Sequence, residues 1–353
     1  MTQPSTPAPT RRSLLAGLLG VGALGLVGCA PADGAAGAPA PAGPLPTAIP
    51  PGTKLTIGIR TTLSQLELSG RLAKLPFEVP EWPNVLAGPD VIQAFRAGSV
   101  DVGLNAGIPP IQAAAIGFDT KIVAVVQRET PTYTFATAPG SAVKSLADFK
   151  GRKIAFSQGQ AQGVVVLRTL KELGLRNDEV ELISLTSNQF LTALQSRQVD
   201  VAVLAEPSTT KYLDQYGKDG ARAIPMTAVD LLAVLWAPTS VLRDDAKAAA
   251  IRAFVPFWAQ GLVWAWENPE PWIEAYYVKD QGVTAADGRR IVKAQPRPYF
   301  PASWDEAIRW EQETSDLMAQ GGFTPKVDAS TLFDRRFESL ASESVPALYR
   351  SKP

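Results

Sequence analysis

The 353-residue chain contains no histidine and a single cysteine, Cys29. Without imidazole there is no Ser-His-Asp or Cys-His machinery, no HExxH zinc site and no histidine acid–base chemistry. One thiol permits neither an intrachain disulfide nor a multi-cysteine metal site. An excess of one charge is lacking as well: Lys+Arg and Asp+Glu both number 34, and no basic run stands out. Nucleic acid recognition, which leans on concentrated Lys and Arg against phosphate, is unsupported. Carboxylate, lysine or hydroxyl chemistry remains, but no motif asks for it, so no catalytic residue, cofactor or metal is expected. What is present is apolar. Hydrophobic content of 46% against 19% charged gives a chain of this length a sizeable core and room for two domains.

The first residues carry an export address. Arg11 and Arg12 precede an apolar run from Leu14 and a small-residue site before Cys29, the order of a secretory signal over residues 1–28. The run of about fifteen residues is short of the roughly 20 that a transmembrane helix needs. Leu26-Val27-Gly28-Cys29 resembles a bacterial lipobox, which implies a fatty-acyl (palmitate-type) anchor on Cys29. Arg11-Arg12 partly resembles a twin-arginine signal, with Leu14 where Phe is common, so both export routes stay open. Gly20 to Gly25 satisfies GxGxxG but follows no strand, so no dinucleotide site is inferred. Residues 29–53 are rich in Ala, Pro and Gly and read as a spacer that holds a folded body off a membrane.

From Lys54 the pattern alternates. Apolar runs at 54–59, 100–106, 121–127, 153–158, 180–185, 199–205 and 230–238 read as strands, and helical spacing fills the gaps between most of them. From Lys247 onward helices dominate. An α/β fold with mostly parallel strands follows. One phrase occurs twice. "DVIQAFRAGSVDVGLNAGIP" (90–109) and "QFLTALQSRQVDVAVLAEP" (189–207) align at an offset of ninety-nine residues, with Val100-Asp101-Val102 on Val199-Asp200-Val201. Each is a helix, a buried strand and a loop reaching proline. Ligands of open parallel sheets sit at such loops, so the two copies are expected to face one another across a cleft.

These segments, with "SLADFKGRKIAFSQGQAQGVVVLRTLKELGL" (145–175), resemble the bacterial ABC-transporter substrate-binding proteins for aliphatic sulfonates, taurine and nitrate. The resemblance covers most of 54–240. It implies a two-lobed periplasmic-binding-protein fold of type II with parallel-rich sheets and a helical C-terminal third. Lobe one would hold 54–130 and 230–353, and lobe two 131–229. It also implies a small-molecule solute, an ABC permease as partner, a membrane reached through the lipid anchor, and a monomer on the outer face of the cell membrane or in the periplasm. Binding of a pyrimidine or amine-type molecule, or a signalling role, stays as an alternative. Sulfinate chemistry on this scaffold uses Cys or His in the cleft, and neither is available beyond Cys29.

Five strand-end stretches are expected to line the cleft. They contribute Thr61, Thr62 and Gln65; Gly88 and Pro89; Asn105, Ala106 and Gly107; Ser157, Gln158, Gln160, Ala161 and Gln162; and Glu206. Trp236 on the returning strand is expected to add an aromatic wall. Glycine allows close backbone approach, and helix N-termini favour an anion. Where the resembled family often has Trp before its acidic residue, this chain has Leu204 and Ala205, and three glutamines occupy one loop, so Glu206 is also a candidate for a cationic group. Six tryptophans from Trp258 onward sit at helical spacing and are read as core packing, in preference to a quaternary-amine cage.

Overall fold

A computed structural model describes residues 42–353. The signal sequence, Cys29 and most of the Ala/Pro/Gly stretch lie outside the described residues. Leu45 and Ile49, near the end of that stretch, pack against the first hydrophobic core.

The body opens with an extended segment from Lys54, which makes isolated bridges at Lys54 and Ile57 before α1 (Arg60–Leu68) begins. Then come α2 (Gly88–Arg96), β1 (Gly103–Ala106), α3 (Ile108–Ala115) and β2 (Thr120–Gln127). A crossing segment leads to β3 (Tyr133–Thr137), β4 (Lys153–Phe156), α4 (Ala161–Glu172), β5 (Glu181–Ser184) and α5 (Phe190–Gln195). They are followed by β6 (Val201–Ala205), α6 (Ser208–Tyr216) and β7 (Ala223–Pro225). A second crossing returns the chain to β8 (Leu232–Pro238) and the short α7 (Thr239–Leu242).

The rest is helical: α8 (Asp245–Glu267), α9 (Pro269–Trp272) running into a π-helix (Ile273–Asp280), α10 (Ala285–Ala294), α11 (Asp305–Gln320) and α12 (Leu340–Glu343). Among the described residues no helix is long and apolar enough to cross a membrane.

Among the described residues two sheets form, in the orders β1-β8-β2 and β5-β4-β6-β3-β7. The sheets are mixed, where mostly parallel strands were expected. β8 runs antiparallel to both its neighbours, as does β3, while β4 is parallel to β5 and β6. An apolar run carries no direction, and each strand that follows a crossing enters its new sheet in the opposite sense.

Alternation explains why the second sheet reads as continuous apolar text. In β6, Val201 and Val203 join one core while Ala202 and Leu204 join another; in β4, Ile154 and Phe156 split from Ala155 in the same way. Successive side chains point to opposite faces, and helices cover both. The first sheet has its own core, which runs from Leu55 through Val125 and Val234 to Trp258 and Tyr349. The two crossings touch where Arg128 N–H donates to Leu231 O at 2.8 Å.

Candidate functional site

Between the sheets lies a cavity of about 510 Å³. The first turns of α1 contribute Thr61 and Gln65, and the first crossing contributes Arg128 and Thr132. The end of β6 and start of α6 bring Glu206 and Thr209. A stripe of α8, Trp258-Leu262-Ala265-Trp266, forms one wall, and Trp272, Tyr276 and Tyr277 form another. α8 approaches α1 closely because residue 261 is glycine: a Cβ there would lie 3.3 Å from Gln65 Cβ. The second wall is held by its own packing. Trp272 and Tyr276 stack at 4.7 Å, Tyr277 meets Tyr276 edge-on at 5.0 Å, and Gln295 Nε2 donates to the Tyr277 hydroxyl at 2.6 Å.

Several lining groups are buried without a hydrogen-bond partner: Gln65 Oε1, Thr132 Oγ1, Thr209 Oγ1 and Trp258 Nε1. Leaving such a group unpaired costs about 1–3 kcal/mol, so four around one cavity mark a place where something polar belongs. The lining has two charged residues, Arg128 and Glu206. Glu206 is occupied: Oε2 accepts from Thr210 N at 3.1 Å and Oγ1 at 2.7 Å, and Oε1 pairs with Arg290 Nη1 at 3.2 Å. The cationic group expected opposite Glu206 is therefore supplied by the protein. The half-buried Arg128 guanidinium makes no hydrogen bond or ion pair among the described residues. Nearby, burial raises the Tyr133 phenol above its ordinary value, and Asp230 adds to the rise. Burial also lifts Asp230 itself to about 6, against the pull of Arg128 and Arg168.

The expected residues separate into two groups. Thr61, Gln65 and Glu206 reach the cavity. Thr62 is buried within α1, and the glycine-bearing loops meet in a closed seam. A Cβ on Gly88 would lie 2.8 Å from Gly159 O and 2.4 Å from Pro109 Cγ, and one on Gly159 would lie 3.4 Å from Pro89. Gln112 Nε2 donates to Gln158 O at 3.1 Å, and Gln158 Nε2 donates to Phe323 O.

At Gly107 a Cβ would sit 2.0 Å from Oε2 of Glu311, a buried residue of α11. Burial and the charge of Asp230 raise the Glu311 carboxyl to about 8, opposed by Arg168. Ala106 ends β1 half-buried beside it. In the glutamine loop, Ser157 Oγ donates to Gln160 Oε1 at 2.6 Å and Gln160 Nε2 donates to Ser187 Oγ at 2.8 Å. These polar groups satisfy one another. Ala161 and Gln162 open α4 outside the cavity lining.

Trp236 is not an aromatic wall. It is fully buried against Phe95 at 4.8 Å, and its indole N–H donates to Asn105 Oδ1 at 2.9 Å. Asn105 Nδ2 in turn donates to Leu86 O at 2.9 Å. The aromatic walls come from the residues expected only to fill a core. Trp304 does so, packed near Phe333, whereas Trp258, Trp266 and Trp272 face the cavity. The available signal was the cluster "WAWENPEPW", where prolines break a helix between closely spaced tryptophans.

A family model described as NMT1/THI5 like matches residues 86–271, more than half of the chain. The chain belongs to that family. Among relatives of this NMT1/THI5-like protein, a protein of Escherichia coli (strain K12) described as aliphatic sulfonates-binding is 34% identical over 143 residues. The match spans 39% of this chain and 45% of that relative, under half its length. The alkanesulfonate-binding protein SsuA of Xanthomonas axonopodis pv. citri, bound to MOPS, superposes with TM-score 0.66 at 21% identity, over 85% of this chain and 99% of the other. The periplasmic aliphatic sulphonate binding protein SsuA of Escherichia coli gives 0.63 at 23%, over 81% and 92%. At these identities the likeness is one of fold, and the fold is that of periplasmic binding proteins.

Proposed function

We propose that the protein is the solute-binding component of an ABC importer, exported and tethered through Cys29, which closes on a small organic oxyanion of the sulfonate class. The cavity carries this reading. It lies between two sheets with separate cores, is lined by partnerless polar groups, and has one unpaired cation, Arg128. The printed ligand classes of the relatives, aliphatic sulfonates and alkanesulfonate, support the same choice. The lobes would be 54–130 with 230–353, and 131–229, hinged at the two crossings. Ligand would shift the population toward the closed form by bridging both sides. The permease would take the closed form as its partner. Turnover is not part of the reading, because the chain has no histidine and its one cysteine is the proposed lipid site.

Tryptophan fluorescence tests it, since Trp258, Trp266 and Trp272 all line the cavity. Titration of the purified protein with alkanesulfonates, taurine, MOPS, arylsulfonates and nitrate should give a saturable change with at least one of them. Flat titrations across the panel, with no small molecule retained in native mass spectrometry, overturn the proposal.

A further inference from the structure

The cavity is larger and more aromatic than a small anion requires. A cavity of about 150 Å³ is enough for benzene; this one, at about 510 Å³, leaves room for a ring and a charged head together. Two walls are aromatic, built from Trp258 and Trp266 on α8 and from Trp272, Tyr276 and Tyr277 beyond it. The faces of such rings carry negative charge density and repel an anionic head, while they welcome a flat apolar body. The head must then go elsewhere in the chamber.

Arg128 is the place for it. Its guanidinium lines the cavity without a hydrogen bond or ion pair among the described residues, and planar bidentate donors match oxyanions. The partnerless lining groups add donors: the Trp258 indole N–H, with 0% of the residue exposed, and the hydroxyls of Thr132 and Thr209, the latter residue 4% exposed. The rival occupant of an aromatic chamber is a quaternary ammonium ion. It would need an available carboxylate, and the one carboxylate in the lining, Glu206, is bound to Arg290 and Thr210.

We infer that the preferred solute is an aromatic oxyanion, with its sulfonate or carboxylate on Arg128 and its ring against the Trp266, Trp272 and Tyr276 walls. This rests on the solute-binding reading and narrows it. Short aliphatic anions would use the head site and leave the walls to water.

Calorimetry on the purified protein tests it with benzenesulfonate, benzoate, ethanesulfonate and benzyltrimethylammonium. The better of the two aromatic anions should bind at least about tenfold more tightly than ethanesulfonate, a ring's burial being worth more than 1.4 kcal/mol. Arg128→Gln should weaken every anion by about tenfold or more, and Arg128→Lys should restore part of that loss. Trp266→Ala, at a half-buried position, should weaken the aromatic anions by a larger factor than ethanesulfonate. Equal affinity for ethanesulfonate and the aromatic anions, indifference to Arg128→Gln, or tighter binding of the ammonium ion each overturns the inference while leaving solute binding intact. Binding by no member of this panel or the broader one removes the solute-binding reading along with it.

Discussion

The duplicated segments, 90–109 and 189–207, share a scaffold and differ at its tip. In both, a helix leads to a strand, and an aspartate just ahead of that strand ties down the adjacent extended segment: Asp101 Oδ2 accepts from Thr56 N and Asp200 Oδ2 from Lys153 N, each at 2.9 Å. In both, a glutamate carboxyl stands at the loop beyond. At the offset that aligns the aspartates, Gly107 falls on Glu206. The second copy carries its own carboxylate, which faces the cavity and pairs with Arg290. The first copy has glycine, and the vacated space is filled by Glu311 from α11, buried and with Oε1 unpartnered. A repeat therefore specifies where a loop lies, while the residue at its tip and the helix that packs there decide whether it opens on a ligand or closes on the protein.

The largest effect should come from filling that glycine. In Gly107→Ala the new methyl would lie 2.0 Å from Glu311 Oε2 and 2.7 Å from its Cδ, so the buried Glu311 carboxyl must be displaced. Overpacking of a dense site costs about 1–3 kcal/mol, and an uprooted buried carboxyl puts this case at the upper end. Glu206→Ala, the matching change in the other copy, breaks a pair whose Arg290 side chain is 54% exposed and removes the acceptor of Thr210 N, and together these should cost about 1 kcal/mol. Urea denaturation of the two variants reads the difference directly. Equal losses would mean that the loops are packed alike and the contrast is empty.

A second, smaller difference is expected with pH. The folded protein holds protons on Glu311, raised to about 8, and Asp230, raised to about 6, that the unfolded chain releases near its ordinary carboxyl values. Where the folded state binds more protons, stability falls as pH rises. The extra stability is thus complete below about pH 4 and lost as pH climbs through about 6 and then about 8. Melting temperature should decline across that window. Glu311→Gln, which stays neutral, should flatten the upper part of the decline and melt above the parent at alkaline pH. An unchanged slope in that variant would falsify the role given to Glu311.

Much of the frame was legible in residues, and much of the chamber was not. The spacing of Val91, Ile92 and Phe95, and the runs at 121–127 and 199–205, announced α2, β2 and β6, because burial of one stripe or two faces forces those periods. Strand direction was invisible, since apolar runs are symmetric. Of the strand-end loops, α1 yielded Thr61 and Gln65 and the second copy yielded Glu206, but Gly88 and Gly107 turned out to be packing glycines. The reason is range: Glu311 meets Gly107 across about two hundred residues, and no local pattern carries such a pairing. The aromatic wall was hidden for the opposite reason. Trp258, Leu262, Ala265 and Trp266 follow the spacing of a core-facing stripe, and a cavity uses the same stripe as a core. Arg128 was missed because one arginine at the end of a strand has no signature until its lack of a partner is seen.

The smallest expected difference lies in the part the two copies share. Asp101→Ala and Asp200→Ala each strip the carboxylate from one backbone N–H, of Thr56 and Lys153, and each should cost about 1–3 kcal/mol. Asp101 has an additional partner: its Oδ1 pairs with Lys247 Nζ at 2.7 Å, near the start of α8. The Lys247 side chain is 36% exposed, which holds this pair to under about 1 kcal/mol. Asp101→Ala should therefore exceed Asp200→Ala by no more than that, and Lys247→Met should erase the gap between them. If Asp200→Ala were silent while Asp101→Ala was not, the aspartates would be alike in spelling only. If both cost the same in the Lys247→Met background, the repeated residue is a structural staple used twice, and what distinguishes the two loops begins after it, at Gly107 and Glu206.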